Sequence, residues 1–274
     1  MRLRTAYIVV EGPHDAEFIG RILRKGPHAF HYQDAKSKVD PFWYPLIPTS
    51  YPVGKPPRDL LRRVPMPVFY QNATHTVAVQ SADGVSNIVG RLEETLATPG
   101  LAEPDAIGLI LDSDSNETPA KRAADLADAL ASDAAHLSGA FPNTPGTIEQ
   151  PNSTAKSRRG VFVFPDNASQ GTLEDLLLEC GCMSYPELLA LAKAHVAAAK
   201  STLVPPTATW TNEDHEEFKA PAGAKKAVIA SATAILKPGR TSQVSVSDNR
   251  WIDPTVLALP KVRTVAEWLG QLII

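Results

Sequence analysis

The stretch Tyr7-Ile8-Val9-Val10-Glu11-Gly12-Pro13-His14-Asp15 constrains the chain more than any other. A short apolar run of this kind reads as a buried strand of a parallel sheet. Gly12 permits a sharp exit. Pro13 suits the first helical position, where its missing N–H costs nothing. Ala16, Phe18, Ile19, Ile22 and Leu23 then recur at helical spacing to about Lys25. The strand thus delivers one acid, Glu11, and the helix opens with a second, Asp15. Strand, tight turn and helix form the first half of a βαβ unit.

The same grammar recurs downstream. Val68-Phe69-Tyr70 and Thr76–Gln80 read as strands around Asn72-Ala73-Thr74-His75. Ser86 suits the cap of a helix whose apolar face is Val85, Ile88, Val89, Leu92 and Leu96. A buried strand over Ala106–Leu111 ends in Asp112-Ser113-Asp114, and Ala123, Leu126, Ala127 and Leu130 mark another helix. Residues 138–158 are polar and loop-like. Val161–Phe164 is a further strand and delivers Asp166. Gly171-Thr172-Leu173-Glu174-Asp175 then opens a helix, with Thr172 and Asp175 spaced as a capping box. Helical spacing returns near 185–200, 222–237 and 262–273, with a loop at 247–254. The expectation is an α/β domain over residues 1–180, with a mostly parallel central sheet and helices on both faces. A helical C-terminal extension, 181–274, packs on the same domain.

Many of the 24 prolines fall in an insertion at 26–66, where aromatic and basic residues interleave, among them His28, His31, Tyr32, Trp43, Tyr44 and Lys55. Such a segment either faces a nucleic-acid substrate, since aromatics stack on bases and cations meet phosphates, or packs its aromatics down on the domain. A short helix is expected over Lys55–Arg63. The 274 residues carry a net charge of −3, which removes a global positive field but not an acidic metal site. No run approaches the length of a membrane helix, and no signal peptide is expected. Cys180 and Cys182 read as reduced thiols of a cytoplasmic protein.

In parallel sheets, ligands sit beyond the carboxyl ends of the strands. Glu11, Asp112, Asp114 and Asp166 each lie at such an end. Neighbouring strands lie about 4.8 Å apart, so these acids can converge. A cluster of carboxylates without a cation repels itself, so protons or a metal must neutralise it. Oxygen-only ligands favour Mg²⁺ or Mn²⁺. Other roles compete: Asp175 fits a helix cap, and Asp15 in a first helical turn is favourable for the dipole alone.

Val9-Val10-Glu11-Gly12-Pro13-His14-Asp15, taken with Leu109-Ile110-Leu111-Asp112-Ser113-Asp114, resembles the Toprim domain of topoisomerases, primases, small nucleases and the overcoming-lysogenization-defect nucleases. The resemblance covers residues 5 to about 180. It implies Glu11, Asp112 and Asp114 as Mg²⁺ ligands in phosphodiester chemistry. Phe164-Pro165-Asp166 and Gly171–Asp175 resemble stand-alone Toprim-like proteins. By that resemblance Asp15, Asp166 and Glu174 are candidates for a second ion, and Lys225 or Lys226 for a lysine that stabilises the transition state. The 26–66 loop is longer than a minimal Toprim domain needs, and no topoisomerase tyrosine domain or primase zinc motif accompanies it.

The leading expectation is a Mg²⁺- or Mn²⁺-dependent nuclease cutting DNA or RNA. By resemblance its setting is phage defence or nucleic-acid processing, with an ATPase partner; a homo-oligomer is compatible with the sequence, which leaves the oligomeric state open. The alternative is a Toprim-fold nucleic-acid or nucleotide binding module without catalysis. A flavodoxin-like phosphoacceptor fits Glu11 poorly.

Overall fold

Strand β1 (Arg4–Val10) is buried on both faces, and the sheet is built outward from it. The computed structural model describes residues 2–48, 66–113, 117–134, 141–151, 156–203 and 216–274. The other strands are β2 (His31–Tyr32), β3 (Val68–Gln71), β4 (His75–Ser81), β5 (Ala106–Asp112), β6 (Ile148–Glu149) and β7 (Arg158–Phe164). Among the described residues they form one seven-stranded sheet in the order β2-β3-β4-β1-β5-β7-β6. The central four, β4, β1, β5 and β7, run parallel, and the edges are antiparallel. The architecture is mixed α/β with a mostly parallel sheet. The Lys55–Arg63 helix expectation falls outside the described residues.

Alternation along the strands divides the core in two. Ala6, Ile8 and Val10 face one side, with Ile110, Phe162 and Phe164. Against them pack α1 (Pro13–Lys25), α4 (Leu173–Ser184), α5 (Pro186–Leu203), α7 (Gly223–Leu236), α8 (Ser242–Asp248) and α9 (Pro260–Ile273). Tyr7 and Val9 face the other side, covered by α2 (Ile88–Leu96), α3 (Pro119–Asp133) and Trp43. Trp43 is fully buried and its indole N–H donates to Thr76 Oγ1 at 3.0 Å. This part of the 26–66 segment therefore packs down onto the sheet. The remaining helix, α6 (Glu216–Lys219), is a single turn.

Several boundaries depart from expectation for local reasons. A 3₁₀ turn occupies Val85–Asn87, so α2 starts at Ile88 and Ser86 does not cap it. The 247–254 loop begins inside α8, whose serines and valines are poor helix formers. Tertiary contacts hold it: Val246 is fully buried, and Arg21 donates to the Ser247 carbonyl at 2.8 Å. β7 begins at Arg158, before the apolar run, because its parallel register with β5 extends to Arg158–Ala106.

Gly108 of β5 and Gly160 of β7 are register partners, and both lie under Trp268 of α9. A Cβ on Gly108 would stand 2.6 Å from Leu272 Cδ2 and 3.1 Å from the Trp268 ring. The two glycines lower the sheet surface where the last helix lies on it. Gly108→Ala should therefore cost about 1–3 kcal/mol through overpacking. Gly90→Ala, on exposed α2 with nothing within 4 Å of the new Cβ, should instead add about 0.5–1 kcal/mol. Urea unfolding midpoints of the two variants moving in opposite directions would verify this.

Candidate metal and acid site

β1 and β5 pair in parallel from Ala6–Ala106 to Val10–Ile110. The register carries Glu11 alongside the end of β5, where its Oε2 accepts the backbone N–H of Asp112 at 3.3 Å. Residues 101 positions apart in the chain thus meet through strand pairing.

Two helix N-termini close over this edge. In α1, Asp15 turns back and its Oδ2 accepts the Gly12 N–H at 2.7 Å. A Cβ on Gly12 would stand 3.0 Å from that oxygen, so a side chain there would crowd the cap. In α4, the Leu173 N–H donates to Asp112 Oδ1 at 2.8 Å. Asp175 Oδ2 accepts the Thr172 N–H at 3.0 Å, so Asp175 does act as a cap residue. Lys225 is within 2.7 Å of the same carboxylate.

Ser113 fastens α4 to β5. Its hydroxyl donates to the Gly171 carbonyl at 3.0 Å and accepts the Gly171 N–H at 2.8 Å. Its own N–H reaches the same carbonyl at 3.1 Å. Ser113 is fully buried, and Gly171 adopts φ +149°, a backbone that side chains rarely allow. Arg122 adds a bond from α3 to the Asp112 carbonyl at 2.9 Å.

Among the described residues, Glu11 and Glu174 act electrostatically on Asp15, and all three act on Asp112. Burial and then the Glu11 charge push Asp15 up to about 8, with Glu174 adding to the effect. Burial first, then Asp15, Glu11 and Glu174, raise Asp112 well above the ordinary carboxylate range. The N–H groups and the two helix dipoles offset only part of that repulsion. Burial lowers the His14 pKa, with Lys226 acting in the same sense and Glu174 against it. His14 and Lys226 therefore belong to the surroundings of this site, and Lys226 is exposed.

The remaining sequence candidates have surroundings of their own. Asp166 follows a strand end, but its oxygens are taken by its own turn. Oδ1 accepts the Ser169 and Ala168 N–H groups at 2.6 and 3.1 Å, and Oδ2 accepts the Ser169 hydroxyl. Burial alone would raise its pKa, yet those bonds hold it below the usual value. The Lys261 ammonium acts in the same sense. Asp114 lies outside the described residues. Sequence reading gave no role to Ser113 or His14; a serine between two aspartates carries no periodic signal, and His14 was legible only as a helix-start residue.

The donor set is all oxygen, which suits Mg²⁺ or Mn²⁺. Among the described residues no group of three or more acidic, histidine or cysteine side chains is placed to hold a metal ion. That arrangement is compatible with Mg²⁺, which commonly keeps several waters and takes one or two protein carboxylates.

Fold and site together define a mixed α/β protein with interacting carboxylates at the carboxyl edge of its parallel strands. The chain belongs to the family described as "Protein of unknown function (DUF3226)", whose model matches residues 5–274. Among solved structures it is similar to the hypothetical protein PH0156 from Pyrococcus horikoshii OT3. The two are 14% identical over 98% of this chain and 95% of that one, with a TM-score of 0.50, a likeness of fold alone. No curated protein matches the sequence. These matches name neither a Toprim protein nor a nuclease.

The raised Asp15 pKa fixes the sign of a stability change. The folded protein keeps that proton to about pH 8, whereas the unfolded chain releases it near 3.8. The folded state thus binds more protons across this window, so its stability falls as pH rises through it. Asp15→Asn removes the contribution while keeping an oxygen for the Gly12 cap. Measured by urea unfolding in EDTA, Asp15→Asn should gain on wild type by more than about 1 kcal/mol between pH 5 and pH 8. A difference that stays flat with pH would contradict the acid cluster.

Proposed function

We propose that this chain is a Toprim-like nuclease dependent on Mg²⁺ or Mn²⁺ that hydrolyses phosphodiester bonds in DNA or RNA. The observation that carries the reading is the meeting of Glu11 with Asp112 at paired strand ends, beside Asp15 and Glu174. Glu11 and Asp112 would hold the ion, and by the Toprim resemblance Asp114 would join them. When bound, the ion supplies charge neutralisation at a phosphate and activates water for attack.

The remaining work falls to the chain's own residues. The Leu173 N–H holds one oxygen of Asp112, which limits rotation of that carboxylate. Glu174 adds negative charge near Asp112, and Asp15 would add its own once a bound cation displaced its proton. Lys226 stands on the exposed side of α7, where its ammonium would meet a phosphate that approaches His14. Lys225 is already paired with Asp175, which favours Lys226 for that part.

A binding module without catalysis is the second reading. In it the fold would hold a nucleic acid or nucleotide, with the metal structural or absent.

Incubation with plasmid DNA and with structured RNA, in Mg²⁺, Mn²⁺ or EDTA, separates the two. The nuclease reading expects metal-dependent cutting that Glu11→Gln and Asp112→Asn each reduce at least about a hundredfold. Lys226→Ala should slow cutting while leaving metal affinity unchanged. Tight, EDTA-insensitive binding with no cutting would select the binding module instead.

A further inference from the structure

A second polar site lies at the other end of the sheet. β4 starts at His75 and ends at Ser81, so its seven residues separate that end from the acid edge by about 20 Å. There a shallow, widely open depression of about 500 Å³ lies between β2 and the β3–β4 turn, lined chiefly by His28, His31, Gln33, Gln71, Asn72 and Thr74.

Most of this lining is already engaged. The Asn72 amide donates to the His28 carbonyl at 3.0 Å, and its Oδ1 accepts the Thr74 and His75 N–H groups. The Gln33 amide donates to the His31 carbonyl at 2.8 Å. Gln71 differs. Its Oε1 is buried and meets no hydrogen-bond donor among the described residues. A buried acceptor left unpaired is costly, and a ligand donor would satisfy it. The terminal torsion of glutamine is broad, so rotation about it would carry the amide edge into this space.

His31 is the direct register partner of Gln71 and is exposed, as is His28. The depression therefore sets flat imidazole faces beside a carboxamide that carries one donor and one acceptor. Adenine matches this: its N6 amine donates, its N7 accepts, and its ring stacks on imidazole.

We propose that this depression is a nucleobase site, in which Gln71 reads the edge of an unpaired adenine and His31 or His28 stacks on its face. It rests on the nuclease reading in giving that enzyme a second hold on its substrate strand, remote from the acids. The base belongs either to a free nucleoside or to a single strand.

The test is calorimetric titration of adenosine, ribose 5-phosphate and a short single-stranded oligoadenylate into wild type, Gln71→Met, His31→Ala and Glu11→Gln. Adenosine should bind wild type and Glu11→Gln equally, and weaken at least about tenfold in Gln71→Met and His31→Ala. Tighter binding of the oligoadenylate than of adenosine assigns the site to a strand; the reverse order assigns it to the free nucleoside. If Gln71→Met fails to fold, His31→Ala, at an exposed position, carries the same test. Ribose 5-phosphate binding as well as adenosine would overturn the proposal, as would absent adenosine binding or binding that neither variant of the depression weakens. Failure of the nuclease reading shows separately, as absent metal-dependent cutting with adenosine binding intact.

Discussion

Carboxylates crowded at the ends of β1 and β5 repel one another, and much of the neighbouring structure bears on that repulsion. Glu11 and Asp112 are brought together by parallel pairing that extends through Val10–Ile110. Neither can retreat without breaking register in strands that are buried on both faces. Asp15 and Glu174 arrive from the first turns of two helices packed in the same core. The energy that holds these acids in place is hydrophobic and lies beneath them, in residues such as Ile8, Ile110 and Phe162. The charge problem at the edge is what remains once that core has formed.

Local features reduce the problem without removing it. The Gly12 and Leu173 N–H groups each donate to one acid. Ser113 fixes Gly171, and so fixes where α4 begins. Even so, Asp15 is pushed up to about 8 and Asp112 is raised as well. A site that holds protons this tightly can exchange them for a divalent cation, because both relieve the same repulsion. This links the fold to the proposed chemistry: strand register gathers the acids, Asp15 and Glu174 are buried while Glu11 and Asp112 stay half-buried, and the resulting field would suit a small, highly charged ion.

The parts of this site legible in the sequence follow from local rules. A buried run ending in Glu11-Gly12-Pro13 announces a strand, a turn and a helix, and Ala106–Leu111 announces the strand that ends at Asp112. Topology then places both acids on one edge. Asp166 obeys the same strand-end rule, and its oxygens also accept bonds within its own turn, because a short carboxylate near free backbone N–H groups engages them. The Ser113–Gly171 link joins residues 58 apart and has no periodic signature. The Gly108–Gly160 floor under Trp268 depends on a register that only the folded sheet reveals. Long-range pairings of this kind escape a reading built on periodicity, whereas the elements themselves do not.

The central claim is that Glu11 and Asp112 grip one divalent ion. Anomalous diffraction from a crystal soaked in Mn²⁺ near pH 8 tests it most directly. The account predicts a manganese peak about 2.1 Å from carboxylate oxygens of both residues. Manganese bound elsewhere only, with Glu11 and Asp112 unchanged, would contradict it.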